Sequence, residues 1–222
     1  MAKILILFFL ILSSFSCGTD VHRKQISKKL IIKKSVNPIR KFLFIGDSLT
    51  AGYGVYEQDC FVSIITKQFR INNINIRVVN AGISGEMSIG TLSRIKWLID
   101  EKVETVFLCI GGNDGLRGKS LVELQKNIES IIKIFKNKNI KVILAGMQIP
   151  PNYSKEYTMN FKILYSVIAK NFELKLLPFL LEGVAGVPAF NQVDGVHPNK
   201  KGHQKIANHI LSFLRDEKIY LK

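Results

Sequence analysis

Short apolar runs alternate with longer amphipathic stretches between residues 42 and 214. The apolar runs predict five strands, at 42–45, 74–79, 103–110, 140–145 and 174–177. Between and after them, apolar residues at helical spacing predict helices at 61–69, 88–99, 120–135, 155–171 and 199–214. Such alternation favours a parallel sheet with right-handed crossovers. We therefore predict an α/β chain with a three-layer, doubly wound domain, one five-stranded parallel sheet and no second domain.

The amino terminus has the pattern of an export signal. Lys3 precedes an unbroken apolar run from Ile4 to Leu12, which is too short to span a membrane as a helix. Small residues follow, and Cys17 then stands where a bacterial lipoprotein would be cleaved and lipidated. Because Ser14 and Phe15 depart from that pattern, cleavage near Ser16 with no lipid on Cys17 stays open. We expect an export signal over residues 1–17. The exported protein would then be located in the periplasm, either free or membrane-anchored as a lipoprotein.

The formal net charge of +15 is unevenly distributed along the chain. Residues 18–41 hold eight Lys/Arg against one acid, Asp20, so this short segment carries +7. We interpret residues 18–40 as a basic tether and residues 41–222 as the folded domain. The remaining excess is scattered lysine, which predicts solvated surface and no nucleic-acid partner. Attachment of the tether to anionic lipid is the alternative.

Polar residues follow several of the predicted strands. Ser48 stands just past the first strand, at the sheet edge where open α/β folds bind ligands, although a serine there can also be a helix cap. Asp194 and His197 lie in one loop near the carboxyl terminus. Ser48 could act as a nucleophile, His197 as its base and Asp194 as the group that orients the imidazole. The backbone N–H groups of Ser48 and Gly85, with the Asn113 amide, could form an oxyanion hole.

Other reactive side chains are given simpler interpretations. His203 and His209 lie in a lysine-rich helix and are predicted to be at the surface. No shared geometry is evident for a metal site built from Asp47, Asp114, Asp194 and His197. Two further cysteines, Cys60 and Cys109, are too few for zinc, and a bridge between them stays open.

Four ordered motifs then carry a family resemblance. They are Gly46-Asp47-Ser48-Leu49, Gly85, Gly112-Asn113-Asp114 and Asp194-Gly195-Val196-His197. Together they resemble the SGNH (GDSL) hydrolase family, over residues 42 to about 215. Finer stretches, at 80–85, 111–118 and 148–153, are similar to the branch of bacterial arylesterases and acyl-CoA thioesterase/lysophospholipases. The resemblance implies a flavodoxin-like fold, no cofactor and the site roles assigned above to Ser48, Gly85, Asn113, Asp194 and His197.

The combined expectation is a serine ester hydrolase acting on a small-molecule acyl ester. Short-to-medium acyl esters, including aryl esters, are the leading substrates, with lysophospholipids and thioesters as further candidates. Six side chains could form the acyl pocket or belong equally to the core: Ile83, Met87, Leu116, Met147, Pro150 and Tyr153. A carbohydrate O-deacetylase with the same triad is one alternative. A non-catalytic binding protein on a flavodoxin-like fold is the other.

Overall fold

The computed structural model describes residues 40–220, which belong to one compact unit. Five strands form one sheet, and they are β1 Arg40–Gly46, β2 Ile76–Gly82, β3 Val103–Cys109, β4 Lys141–Ala145 and β5 Lys175–Leu177. Every neighbouring pair is parallel, in the order β2-β1-β3-β4-β5. The predicted five-stranded parallel α/β fold is therefore confirmed.

The expectations for the first 39 residues lie outside the described residues. They include the export signal over 1–17, lipidation of Cys17 and nearly all of the tether. Its last residue, Arg40, is already the first residue of β1. Within the described part of the chain, no helix is both long and apolar enough to cross a membrane.

Seven α-helices connect and cover the strands in the described range. They are α1 Ser48–Ala51, α2 Phe61–Ile71, α3 Ser88–Leu98, α4 Gly112–Leu116, α5 Leu121–Lys136, α6 Lys155–Phe172 and α7 Lys200–Asp216. Two short 3₁₀ turns lie at Glu57–Asp59 and Pro188–Phe190. The five longer helices match the predicted ones to within two residues at each end. Periodicity could not reveal α1 and α4, because four or five residues do not complete a recognisable apolar face.

The core is centred on β1 and β3, whose side chains are buried on both faces of the sheet. Phe44 on β1 pairs in register with Phe107 on β3, and their ring centroids are 5.1 Å apart. Helices α2 and α7 pack together, while α3, α5 and α6 pack as a second group. Continuous burial of this kind is typical of a parallel sheet covered by helices on both sides. Because β1 and β3 are adjacent at its centre, the turns that follow them meet at one edge.

The prediction that His203 lies at the surface is wrong. Only 1% of His203 is exposed, and its ring stacks on Phe61 with centroids 5.9 Å apart. Its Nδ1 accepts a hydrogen bond from the Phe61 N–H at 3.3 Å. Burial lowers the pKa of His203 to about 4, although the Asp59 carboxylate opposes the shift. His209 is half-buried, with Nε2 3.1 Å from the Phe179 carbonyl oxygen.

The open question about the cysteines is also answered. Cys60 and Cys109 are both free and buried, so no disulfide joins them. Burial raises the pKa of each thiol, and that of Cys109 is raised further by the Asp47 carboxylate. A raised pKa keeps both groups in the protonated, weakly nucleophilic form. These cysteines therefore act as small apolar residues of the core.

The buried imidazole of His203 should make stability depend on pH. The unfolded chain takes up a proton near pH 6.5, whereas folded His203 does so only near pH 4. The contribution of His203 to the free energy of unfolding should therefore fall as the pH is lowered from 6.5 to 4, by on the order of 3 kcal/mol. His203→Gln, whose side-chain oxygen can still accept from Phe61, should lack this contribution, so its free energy of unfolding should fall less than that of the wild type in denaturant titrations from pH 6.5 to 4.

A matched substitution on the same helix provides the control. His209→Gln also removes an imidazole from α7, and it should keep the pH dependence set by His203. Equal slopes for wild type and His203→Gln would contradict the interpretation.

Candidate active site

Ser48 is presented by a sharp turn at the carboxyl end of β1. It is the first residue of α1, and Asp47 caps that helix by accepting the Leu49 N–H at 3.1 Å. Gly46 packs closely here, because a side chain at this position would collide with Thr50 and with the Cys109 carbonyl. The turn thus needs glycine before the capping acid. The capping role that the sequence left open for Ser48 belongs instead to Asp47.

Asp194 and His197 reach Ser48 from the loop before α7. His197 Nε2 lies 3.0 Å from Ser48 Oγ, and His197 Nδ1 lies 2.7 Å from Asp194 Oδ2. The other oxygen of Asp194 accepts the backbone N–H groups of Val196 and His197, both at 2.9 Å. The structure therefore brings all three predicted triad residues into one chain of hydrogen bonds.

The hydrogen bonds to Asp194 control its charge. Donation from the His197 backbone, from the His197 ring and from the Val196 backbone lowers the pKa of Asp194 to about 2. The carboxylate is consequently ionised at neutral pH and favours a proton on Nδ1 of the facing ring. Nε2 is then left free to accept the hydroxyl proton of Ser48, as a general base must.

The candidate oxyanion donors also lie together. Within residues 40–220, neither the Ser48 nor the Gly85 backbone N–H donates to a protein group. The Asn113 amide donates to the Glu86 carbonyl at 3.1 Å, and it is 3.4 Å from an oxygen of Asp47. Asn113 therefore lies between Glu86, which follows Gly85, and Asp47, which precedes Ser48. Its long contact with Asp47 is a weak hydrogen bond, which a substrate oxygen could replace.

An ion pair that the sequence did not reveal fixes the loop carrying Gly85. Arg94 on α3 donates from Nε and Nη2 to the two carboxylate oxygens of Glu86, each at 2.5 Å. Nη2 also donates to the Ala81 carbonyl at 2.7 Å, and Thr91 donates to the same carboxylate. Both charged side chains are largely buried. Gly85 itself needs glycine because its φ is +78°. The fork of Arg94 therefore ties both ends of the loop to α3.

Two acidic side chains near the site, Asp47 and Asp114, accept hydrogen bonds from other groups of the protein. Burial raises the pKa of Asp47 to about 6, although the Leu49 N–H and His197 oppose the shift. Asp114 accepts both the N–H and the hydroxyl of Ser88, at 2.9 and 2.6 Å, where α3 begins. Among the described residues, no group of three or more His, Cys, Asp or Glu side chains could hold a metal ion.

Tyr53 is a further contact that sequence reasoning missed. Its ring centroid lies 4.7 Å from that of His197, and about half of the side chain is exposed. Gln192 donates to the Tyr53 carbonyl at 2.8 Å and to the Pro198 carbonyl at 3.0 Å. The aromatic ring therefore covers one side of the imidazole, and Gln192 ties the Ser48 turn to the His197 loop.

An apolar cavity of about 470 Å³ opens beside the triad. Gly112 and Leu116 bring its wall close to Asn113, and Gly195 and Val196 bring it close to His197. The rest of the lining is mostly apolar and consists of Met147, Gln148, Ile149, Pro150, Pro151, Phe179, Leu181, Ala185 and Gly186. A volume and lining of this kind are typical of small-molecule sites.

The structure places three of the six candidate pocket residues at the cavity and three outside it. Leu116, Met147 and Pro150 line the cavity, whereas the other three do not. Ile83 is about half exposed on the loop after β2, and Met87 lines a separate depression with Ile89. Tyr153 donates its hydroxyl to the Leu116 carbonyl at 2.6 Å, so it supports a lining residue from outside.

The comparisons with known proteins agree with this geometry. Residues 44–205 match the model of the GDSL-like Lipase/Acylhydrolase family. Esterase TesA of Pseudomonas aeruginosa is 37% identical, over 78% of this chain and 87% of that protein. An arylesterase of Vibrio mimicus is 31% identical, over 77% and 86%. The thioesterase 1/protease 1/lysophospholipase L1 of Escherichia coli K12 is 34% identical, over 75% and 79%.

A solved structure shows the same architecture. The crystal structure of a TesA superposes with a TM-score of 0.77 at 36% identity. The match covers 80% of this chain and 99% of that one. The overall fold is therefore shared with a protein of related sequence.

Removal of Arg94 should test the importance of the buried ion pair. Arg94→Met leaves the Glu86 carboxylate buried without its partner, which should lower the free energy of unfolding by about 3–5 kcal/mol. Chemical denaturation measures this loss. The double variant Glu86→Leu/Arg94→Met removes both charges and should recover most of the stability.

The turnover of an acyl ester shows whether the Glu86–Arg94 pair also positions the Gly85 loop, in addition to stabilising the fold. In the stable double variant the Gly85 loop has lost the fork that ties it to α3, so kcat should stay well below the wild-type value. A double variant with wild-type kcat would show that the pair only stabilises the fold.

Proposed function

Because the chain belongs to the GDSL-like lipase/acylhydrolase family, we propose that it is a serine ester hydrolase in which Ser48 forms an acyl-enzyme. The observation that carries this proposal is the 3.0 Å contact between Ser48 Oγ and His197 Nε2, on an imidazole held by Asp194. The named relatives, which include an esterase, an arylesterase and a thioesterase/lysophospholipase, support the same class of reaction.

The first half of the reaction attaches the acyl group to the enzyme. His197 Nε2 takes the hydroxyl proton as Ser48 Oγ attacks the carbonyl carbon of the ester. The carbonyl oxygen becomes an oxyanion, which the N–H groups of Ser48 and Gly85 and the Asn113 amide stabilise. His197 then gives its proton to the leaving alcohol oxygen, and the carbon–oxygen bond breaks. Asp194 stabilises the imidazolium that exists between these two proton transfers.

The second half releases the acid. A water molecule enters, gives a proton to His197 Nε2 and attacks the acyl carbon. The new tetrahedral intermediate uses the same oxyanion donors. Its collapse breaks the bond to Ser48 Oγ, which recovers a proton from His197, and the carboxylic acid departs. The enzyme returns to its starting state with no cofactor consumed.

The apolar cavity is proposed as the acyl site. Its mouth lies between the neighbours of Asn113 and of His197, so an acyl chain inside it would leave the carbonyl near Ser48. A volume of about 470 Å³ suits a short-to-medium chain, as in simple alkyl and aryl esters. Thioesters and lysophospholipids are further substrate classes, because the leaving group would lie outside this cavity.

The two alternatives are less well supported. A carbohydrate O-deacetylase would use the same triad, but it would need no apolar cavity for a two-carbon acyl group. A non-catalytic binding protein would not need a serine, an imidazole and a carboxylate in one hydrogen-bonded chain. Relatives with enzyme names also favour catalysis over simple binding.

The cellular location is a proposal from the sequence alone. The charged start, the apolar run from Ile4 to Leu12 and the small residues after it support export. A lipid on Cys17 would hold the enzyme at a membrane, with the basic tether between anchor and domain. The alternative remains a free periplasmic enzyme cleaved near Ser16.

Loss of the nucleophile tests the proposed reaction. Ser48→Ala removes the only atom that could carry the acyl group in this scheme, so kcat on p-nitrophenyl esters should fall by at least a thousandfold. The circular-dichroism spectrum should not change. Ser84→Ala, on the loop next to Gly85, is a matched loss of one hydroxyl and should retain most activity. Wild-type turnover by Ser48→Ala would refute the mechanism.

Narrowing the cavity tests the acyl site. Ala185→Phe adds an aromatic ring at the cavity wall, which should lower kcat/KM for long-chain p-nitrophenyl esters by tenfold or more. Acetate and propionate esters should be affected little, because their chains need not extend past the ring. Ala189→Phe adds the same ring outside the cavity lining and should keep the wild-type chain-length profile. Parallel losses for short and long esters would count against this location.

A further inference from the structure

The net charge of the described residues is concentrated at one edge of the molecule. We use the name amino edge for the sheet edge where the strands begin and the last turns of the helices end. It consists of residues 40–41, 70–77, 96–104, 133–141, 170–175 and 215–220. These segments contain fourteen Lys/Arg and six Asp/Glu, which gives +8. The rest of residues 40–220 contains ten of each, so its formal charge is zero.

Helix ends alone do not account for this concentration. Basic residues in the last turn of a helix complement its dipole, as Lys96, Lys133 and Lys170 do. Others have no such role, because they lie in connecting loops or at strand starts, as Lys102, Lys138 and Arg77 do. The excess therefore belongs to the edge as a surface and not to individual helices.

Contacts confirm that the separate segments form a continuous surface. The Lys41 N–H donates to the Lys102 carbonyl at 2.7 Å, and the Tyr220 hydroxyl lies 2.6 Å from the Thr105 hydroxyl. Segments from β1, β3, β4 and β5 also line a cavity of about 760 Å³ at this edge. Its lining includes five basic residues, Arg40, Lys136, Lys141, Lys175 and Lys218, and three acidic ones, Glu104, Glu173 and Glu217. None of the triad residues lines it, because the triad is at the opposite edge.

Two large apolar side chains project from the same edge. Trp97, in the last turn of α3, is 87% exposed, and Ile71, the last residue of α2, is 60% exposed. Exposed Lys96 directly precedes Trp97, and the exposed residues Asp100, Glu101 and Lys102 follow it within five positions. Tryptophan next to lysine is the combination favoured at the interface between water and a bilayer.

From these observations we propose that the amino edge docks on an anionic lipid surface, with Trp97 at the level of the headgroups. The charge of the surface complements that of acidic phospholipids, and a bilayer can accept both the lysines and the exposed apolar side chains. Arg40, where the basic segment 18–40 joins β1, belongs to the docking face. Ser48 and the acyl cavity then face away from the bilayer, so the enzyme would take its esters from the aqueous phase.

The single tryptophan of the chain provides a direct test. The full chain is mixed with vesicles of phosphatidylglycerol and phosphatidylcholine, or of phosphatidylcholine alone, and Trp97 emission is recorded. Anionic vesicles should shift the emission to shorter wavelength and protect it from aqueous quenchers, and added salt should reverse both effects. Lipids brominated near the headgroups should quench it. An unchanged spectrum with anionic vesicles would overturn the proposal.

Moving the tryptophan to the other edge is the control for orientation. Tyr56 is 77% exposed on the loop between α1 and α2, and it lines one depression with Asn199, which precedes α7 at the opposite edge. In the variant Trp97→Phe/Tyr56→Trp, anionic vesicles should leave the emission unchanged. A shift for this reporter and none for Trp97 would mean that the active-site edge faces the lipid, which would overturn the proposal.

Matched charge variants identify the basic surface. Lys96, Lys102, Lys138 and Lys170 are exposed and make no side-chain hydrogen bond or ion pair within residues 40–220. Their replacement together by Gln should weaken binding to anionic vesicles by about a hundredfold or more. The same change at Lys119, Lys126, Lys155 and Lys201, outside the amino edge, should weaken it much less. Equal losses would indicate attraction by total charge only.

A nucleic acid is the competing acidic partner. A double-stranded DNA oligonucleotide should not shift Trp97 emission at 150 mM salt, because a duplex offers no apolar layer for the ring. Binding of the duplex at that salt concentration with a Trp97 shift equal to that of the vesicles would overturn the assignment of lipid.

Discussion

The contact between His197 and Ser48 joins residues 149 positions apart in the chain, and the site depends on it. It can form only because Ser48 follows a central strand and because α7 begins at the same edge of the sheet. The apolar side chains of β1 and β3 fix that arrangement, since they are buried on both faces of the sheet. Core packing thus sets the distance between Ser48 and His197, and the Asp194 loop adds only the final orientation.

Desolvated charge is tolerated near the triad because each group has a defined partner. Glu86 and Arg94 neutralise each other and share their hydrogen bonds with the backbone of the Gly85 loop. Asp47 has weaker compensation, and its raised pKa shows that ionisation at this buried position is unfavourable. Its hydrogen bond with the Leu49 N–H nevertheless holds the Ser48 turn, while its contact with Asn113 is weak. The electrostatic cost of burying this carboxylate is therefore offset by its role in capping α1.

The sequence predicted the elements whose signals are repeated over many residues. Five strands and five long helices follow directly from apolar periodicity, and the ordered motifs indicated which loops meet at the sheet edge. Isolated residues gave weaker signals. Lysines around His203 suggested a surface helix, yet the histidine lies on the buried side of α7 and packs on Phe61. Its neighbours at 206, 207 and 210 are apolar, and that spacing was the signal that could have placed it.

Apolar periodicity could not predict which residues line the cavity or which residues hold the loops of the site in place. Ile83 and Met147 both follow strands and are both apolar, but only Met147 turns toward the cavity. Arg94 lies eight residues beyond Glu86 and reaches it through the path of α3, which a linear pattern does not specify. Tyr53 likewise reaches His197 from a distant segment. The direction in which each of these side chains points therefore could not be predicted from the sequence pattern, even with the fold known.

The two sheet edges have different electrostatic characters, and the way a parallel sheet is built accounts for part of the difference. All strands begin at one edge and all long helices end there, so helix dipoles add their negative ends at the amino edge and favour basic residues. The opposite edge collects helix starts and turns, which favour capping acids such as Asp47 and hydroxyl groups such as Ser120. A neutral ester is not attracted to either edge by charge, whereas an anionic surface is attracted to the basic edge. The fold thereby separates a charged face suited to attachment from a formally neutral remainder that holds the reaction site.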